Sequence, residues 1–374
     1  MTVHSVSPTE LTSGYLCGSG DKDITGGEVC ASLEVLPPAD QLAAMWRGLE
    51  CRADATFFTS WEWIGTWLAE SGARPLLLIG RRAREVVALG LLQRGSSRLT
   101  LASSDTLLLH QTGSQYFDCI DIEFNDFLLD RTCQDEARKT CLDELLRVRR
   151  NGSLRWGKLI WAASPCRLDQ VLKADFRFKL FREAPSPLVD VGMLRRERLG
   201  YLEYLSANTR YNVRRSMRLY DEWGPLQLSR PTSVDEGLGW LDELRRLHEI
   251  RWQAKGKGGA FANPFFGHFL RRIMQRSLRE HWDMMKICAG STAIGYLFNF
   301  VYGGMAMNYQ SGFLYGPDGR YKPGLVSHVL AVQHYLDQEP NVDGYSFLGG
   351  NAQYKRSLAT SASQLEWYSI QAIT

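Results

Sequence analysis

Apolar residues recur along this chain at two different spacings, and the changes from one to the other mark its elements. Spacings of three and four, the period of a helix, govern 40–50 (DQLAAMWRGLE), 57–72 (FFTSWEWIGTWLAESG), 135–150, 234–256 and 263–281. Alternation or short apolar runs predict strands at 32–38 (SLEVLPP), 74–82, 86–95, 98–103 (RLTLAS), 158–163, 187–192, 282–290, 291–302, 304–313, 342–348 and 363–371. Thr59 or Ser60 can cap the helix carrying Trp63, Ile64, Trp67 and Leu68, and Asn263 with Pro264 opens another. A strand-helix-strand-helix order precedes Gly192 and returns at low resolution after it. That weak duplication predicts a mixed α/β chain of the α+β class. The expected division is a flexible leader at 1–28, a first lobe at 29–192 and a second at 193–374.

The stretch 311–336 (SGFLYGPDGRYKPGLVSHVLAVQHYL) is a glycine-punctuated loop feeding a helix. Pro323 suits the first helical position, where its missing N–H costs nothing. The first turn then offers the N–H groups of Gly324, Leu325 and Val326 at the positive end of the dipole, with Arg320 and Lys322 just before it. An anion such as a pyrophosphate would be stabilised there, although an ordinary loop before an amphipathic helix looks the same. Beyond it, VDGYSFL reads as a strand, Gly349 and Gly350 break it, and Asn351 is placed to cap a short helix carrying Tyr354 and Lys355.

Charge changes this picture only locally. Lys plus Arg number 44 against 41 Asp plus Glu, a formal net charge of +3 that does not mark a polyanion binder. Seven arginines nevertheless cluster between Arg195 and Arg218, and Arg210, Arg214 and Arg218 share one helical stripe. Such a stripe is either a solvated face or a contact for the phosphates of CoA or an RNA backbone. Eight scattered cysteines lack metal-site spacing and read as reduced thiols, so no metal is expected. No apolar run is long enough to span a membrane, and the cytoplasm is the expected compartment. Catalytic Ser-His-Asp, Walker and dinucleotide signatures are missing.

Between Leu107 and Asp130, polar groups interleave with large apolar ones. Read as an alternating strand, Asp121, Glu123 and Asn125 share a face. Facing a cleft, they would bind an amine or supply a general base; facing solvent, neither. His248 lies on the helical face of Leu241 and Leu244, as a buried histidine or a proton-transfer group.

The segments FFTSWEWIGTWL, LSANTRYNVRRSMR, RYKPGLVSHVL and FLGGNAQYKRSLA, in this order, resemble the GNAT acyltransferase superfamily, in its two-lobed CelD/BcsL-like branch, distantly related to FemAB aminoacyl transferases. The resemblance runs from about Phe57 onward. It implies two tandem GNAT-like lobes, each a mostly antiparallel sheet flanked by helices, and transfer of an acyl group from a thioester to the amine of a small molecule or peptide. No tightly bound cofactor is implied; acyl-CoA or an acyl carrier protein thioester is the co-substrate. The donor would lie along Met307, Asn308, Tyr309 and Gln310 and be anchored by Arg320, Lys322, Gly324, Leu325 and Val326. Tyr354 would protonate the leaving thiolate, with Glu123 or His248 as base and Asp121, Asn125, Arg210, Arg214 and Lys355 toward the acceptor. The loop reads RYKPG where the superfamily commonly has Gly-x-Gly or Gly-x-Ala, which leaves charged tRNA as another donor. Ser346 and Asn351 stand where related sequences often carry aspartates. A FemAB-like transferase and a catalytically silent binding protein are the alternatives.

Overall fold

The computed structural model describes residues 27–95, 105–171, 175–316 and 318–373; the RLTLAS run and nearly all of the leader lie outside the described residues. In chain order the strands are β1 (Val29–Glu34), β2 (Leu76–Arg82), β3 (Glu85–Gly95), β4 (Thr106–Leu109), β5 (Leu128–Leu129), β6 (Lys158–Ser164) and β7 (Phe176–Asp190), then β8 (Leu226–Ser229), β9 (Trp282–Ala289), β10 (Thr292–Tyr302), β11 (Met305–Phe313), β12 (Gly344–Ser346) and β13 (Ser361–Ala372). The helices are α1 (Ala39–Glu50), α2 (Trp61–Ser71), α3 (Gln134–Arg150), α4 (Leu168–Val171), α5 (Val191–Arg196), α6 (Tyr201–Tyr204), α7 (Ala207–Asp221), α8 (Val234–Gln253), α9 (Pro264–Arg276), α10 (Pro323–Gln338) and α11 (Gln353–Leu358).

One sheet runs through both halves in the order β1-β2-β3-β4-β6-β13-β7-β12-β11-β10-β9-β8, with β5 beside β3. The duplication expected from the element order is visible in it. In the first half, antiparallel β1–β4 meet β6 in parallel, Thr106 opposite Lys158, after a crossover through α3. In the second, antiparallel β8–β11 meet β12 in parallel, Met305 opposite Gly344, after a crossover through α10. Each half is then completed by a strand from the other. β7 pairs with β12, and β13 pairs with β6, Tyr368 opposite Trp161. β7 and β13 also pair with each other along most of their length.

The cap and period signals translate into helices directly. Ser60 accepts from the Trp63 N–H, Asn263 accepts from the Phe265 N–H, and Pro264 opens α9. Trp63, Ile64 and Trp67 are buried where α2 meets α9, in a core shared by both halves. Phe57, just before α2, stacks on Phe300 of β10 with centroids 4.1 Å apart and planes 17° from parallel. Truncating a buried aromatic of this kind costs about 3–5 kcal/mol, so this seam fixes how the halves meet. No described helix is long and apolar enough to cross a membrane.

Two local readings are corrected. Residues 118–127 do not form an alternating strand: a short helical turn (Asp118–Ile120) leads into irregular backbone in which Asp121 and Phe124 take positive φ (41° and 48°). Asp118 tightens the segment, its carboxylate accepting the Thr112 and Gly113 N–H groups at 2.8 and 2.7 Å. Ahead of α11, the capping position falls on Ala352 rather than Asn351, and no side chain caps it.

Candidate active site

β10 and β11 slip register once: Phe298 lies opposite Gln310 and Asn299 opposite Asn308, which leaves Tyr309 unopposed in a bulge. β11 and β12 pair only as far as Met307 and Ser346; from there the chain turns away, and the Phe347 N–H goes to the Pro187 carbonyl of β7. Where the two strands part, a cavity of about 770 Å³ opens. Its walls are Asn308 to Ser311 and Phe313 of β11, Tyr315, Tyr321 and Lys322 of the loop that follows, the start of α10, the last turns of α8, and Phe347, Tyr354 and Lys355. A second cavity of about 170 Å³ shares Asn308, Tyr309, Gln310, Phe347 and Lys355 with it and adds Cys119, Asp121, Glu123 and Gly349.

The irregular segment after β4 carries Asp121 and Glu123 into the smaller cavity. Glu123 Oε2 accepts the Gly349 N–H at 2.6 Å. Burial pushes its carboxyl up to about 7, against the pull of that N–H and of Lys355. Burial raises Asp121 as well. Lys355 donates to the carbonyls of Phe347 and Gly349 at 2.7 and 2.9 Å, clasping the turn in which Leu348 takes a positive φ. Tyr354 faces the larger cavity, its ring stacked on buried His328 with centroids 5.6 Å apart, and burial pushes its phenol up to about 12. His248 is buried in the wall between Trp252 and Phe261; burial takes it down to about 4, so its imidazole is neutral at pH 7.

At the start of α10, no side chain caps the helix, and the Gly324 and Leu325 N–H groups have no partner among the described residues. The Val326 N–H differs from expectation. It already donates to the Lys322 carbonyl at 3.1 Å, the first bond of the helix itself. Arg320 also differs: its guanidinium is held by Asp318 at 2.7 Å and is not in the cavity wall, whereas Lys322 is.

Four other residues fall away from the two cavities. Asn125 turns inward, pairing with His110 Nδ1 at 2.8 Å and donating to the Leu109 carbonyl, because the irregular backbone breaks the shared face. Arg210 donates to the carbonyls of Glu203 and Leu205, and Arg214 sits 3.6 Å from Glu203. Met307 is buried and lines a separate apolar crevice with Phe124 and Ser346. Sequence reasoning missed Arg251, Trp252, Lys255 and Tyr315, in which Arg251 lies over the Tyr315 ring at 4.1 Å. The signal for Arg251, Trp252 and Lys255 was a cationic, aromatic end to α8; Tyr315, in the loop after β11, had none.

The sequence profile of the acetyltransferase (GNAT) domain matches residues 207–356. No curated protein sequence matches the chain. Among solved structures, a C-terminal DUF2156 domain from Agrobacterium fabrum, assigned to a lysylphosphatidylglycerol synthetase, superposes with a TM-score of 0.52 at 10% identity over 89% of this chain and 92% of that one. L-PGS from Bacillus licheniformis gives 0.50 at 12% identity over 90% and 92%. A tandem GNAT protein from the clavulanic acid biosynthesis pathway gives 0.45 at 11% identity over 91% and 98%. Residues 207–356, the part of the chain that matches the GNAT acetyltransferase domain, hold the bulged strand, the uncapped helix start and Tyr354.

Proposed function

We propose that the protein transfers an acyl group from a thioester donor, acyl-CoA or an acyl carrier protein, to the amine of a small molecule or peptide. The observation that carries this reading is the position of Glu123: a carboxyl with its pKa near 7 stands at the parting of β11 and β12, in a cavity that shares Asn308, Tyr309, Gln310, Phe347 and Lys355 with the one that receives α10. The donor's phosphates would meet Lys322 and the Gly324 and Leu325 N–H groups, and its arm would follow β11. The acceptor would enter beside Asp121 and Glu123. A thioester is already activated, so the protein's work is to juxtapose the reactants and manage protons. Glu123 takes the proton from the ammonium, and the free amine attacks the carbonyl carbon. The C–S bond of the tetrahedral intermediate breaks and the thiolate takes the Tyr354 proton, while the attacking nitrogen gives up its second proton to solvent as the amide forms and the Tyr354 phenolate is reprotonated from water. A phenol shifted to about 12 remains protonated at neutral pH and is ready to donate.

The test is release of free thiol from acyl-CoA in the presence of amines identified by mass spectrometry of co-purified ligands. Amine-dependent release in the parent, lost in Glu123→Gln, is expected; no binding or turnover of any thioester would overturn the reading.

A second reading, aminoacyl transfer from charged tRNA, is favoured by the exposed Arg214 and Arg218 on α7. This helix abuts the loop through Ser216, which accepts the Lys322 N–H at 2.8 Å. A body larger than CoA would reach these arginines from the cavity mouth. Retardation of charged tRNA that vanishes when both are changed to alanine would replace the first reading with this one; if neither ligand binds, a silent binding protein remains.

A further inference from the structure

A continuous chain of hydrogen bonds, buried through its middle, crosses the second half from Arg230 to the cavity. Arg230 Nε donates to Asp283 Oδ1 at 2.8 Å, and the Tyr335 hydroxyl donates to Asp283 Oδ2 at 2.9 Å. Asn299 Nδ2 donates to the Tyr335 oxygen at 3.1 Å, and Asn308 Nδ2 donates to Asn299 Oδ1 at 2.9 Å. Last, Ser311 Oγ donates to Asn308 Oδ1 at 3.0 Å. Asp283 and Asn299 have no exposed surface, Tyr335 is 1% exposed and Asn308 8%. Asn308 and Ser311 stand in the wall of the larger cavity.

The direction of every bond follows from one end. A carboxylate bound by arginine only accepts, so Tyr335 must spend its single proton on Asp283. Its oxygen is then left to accept, which turns the Asn299 amide nitrogen toward it and the Asn299 oxygen toward Asn308. Asn308 must answer with its nitrogen, and its oxygen receives the Ser311 proton. The order of oxygen and nitrogen in both amides is therefore forced by chemistry. We infer that Asp283 is a positioning residue, acting through Tyr335 and Asn299, that makes the Asn308–Ser311 wall a hydrogen-bond acceptor. It would take an N–H or O–H group of the bound ligand and reject a carbonyl or ether oxygen.

Within the function proposed above, the matching group is an amide N–H on the donor's arm. The polarity itself does not depend on that reading, and the experiment separates the two. Two fragments serve as probes: N-methylacetamide, which has an amide N–H, and N,N-dimethylacetamide, which has none. Each is titrated into the full chain labelled at asparagine side-chain amides, and the Asn308 signals are followed by NMR. The parent should respond to N-methylacetamide with an apparent affinity about fivefold above that for the dimethyl compound, the worth of about one net hydrogen bond. In Tyr335→Phe, which keeps the ring but cuts the link to Asp283, the preference should fall to about one. Asp283→Asn, which lets the chain run in either direction, should do the same. A general packing defect would weaken both fragments alike. Equal responses in the parent, or none to either fragment, would overturn the inference even if both variants failed to fold; so would a preference that survives in a folded Tyr335→Phe. Failure of CoA to bind would count against the proposed function alone.

Discussion

Glu123, from the first half of the chain, accepts the backbone N–H of Gly349, from the second, at 2.6 Å. The candidate base is thus oriented by the turn that also presents Tyr354 and Lys355, and neither half holds the constellation alone.

Replacing Glu123 with glutamine keeps an oxygen for Gly349 and removes the base. Turnover should fall by about 10²- to 10⁴-fold. In the parent, kcat/KM should rise with pH through about 7, because only the ionised carboxylate accepts a proton, and Glu123→Gln should lose this limb. A carboxyl whose pKa is raised on folding costs stability once ionised, progressively from its unfolded value of 4.5 up to about 7. The variant should therefore melt no lower than the parent at pH 8, as differential scanning calorimetry would show.

Tyr354→Phe preserves the stack on His328 and removes the hydroxyl. Single-turnover transfer at saturating donor should slow by about 10²-fold, the lower end for a general acid, since a thiolate leaves readily. Donor affinity should hold. A parent-like rate at every pH would make Tyr354 a packing residue.

Lys322→Ala should weaken thioester binding by about tenfold or more, the scale of one charge-assisted hydrogen bond. Arg320→Ala should change it little, because that guanidinium is already held by Asp318. Isothermal titration of each single variant separates the two; an equal loss from both would put Arg320 on the donor.

His110 and His248 are both taken down to about 4, and His328 to about 3, chiefly by burial. The unfolded chain takes up protons on these rings near 6.5, before the folded one does. Their contribution is intact above 6.5 and lost as pH falls from there through about 4, with a total of several kcal/mol as an order of magnitude. Urea midpoints measured from pH 7.5 to 4.5 should drop accordingly, and His110→Asn should flatten the drop.

The elements that bury a periodic face were legible in the sequence, because period and caps are local properties. Ser60, Asn263 and Pro264 each do what their positions implied. Glu123 was singled out for the wrong geometry: the alternation around it belongs to an irregular segment whose turns depend on Asp118 and on the Tyr309 hydroxyl reaching the Ile120 carbonyl. Asn125 and Val326 were misread for a related reason, since their partners, His110 and the Lys322 carbonyl, appear only once the backbone is placed. Arg251 and Lys255 went unnoticed because a cationic helix end is ordinarily just solvated.

The exchange of β7 and β13 also bears on how such a chain is made. When β6 leaves the ribosome, its neighbour in the sheet is still roughly 200 residues from synthesis, and closing so long a loop is slow. Until β13 arrives, the first half keeps an unpaired edge at β6, open to the wrong partner. Synthesis from the N-terminus therefore gives no early, finished first domain. The sheet closes late and all at once, and the two halves should unfold in a single transition rather than in sequence.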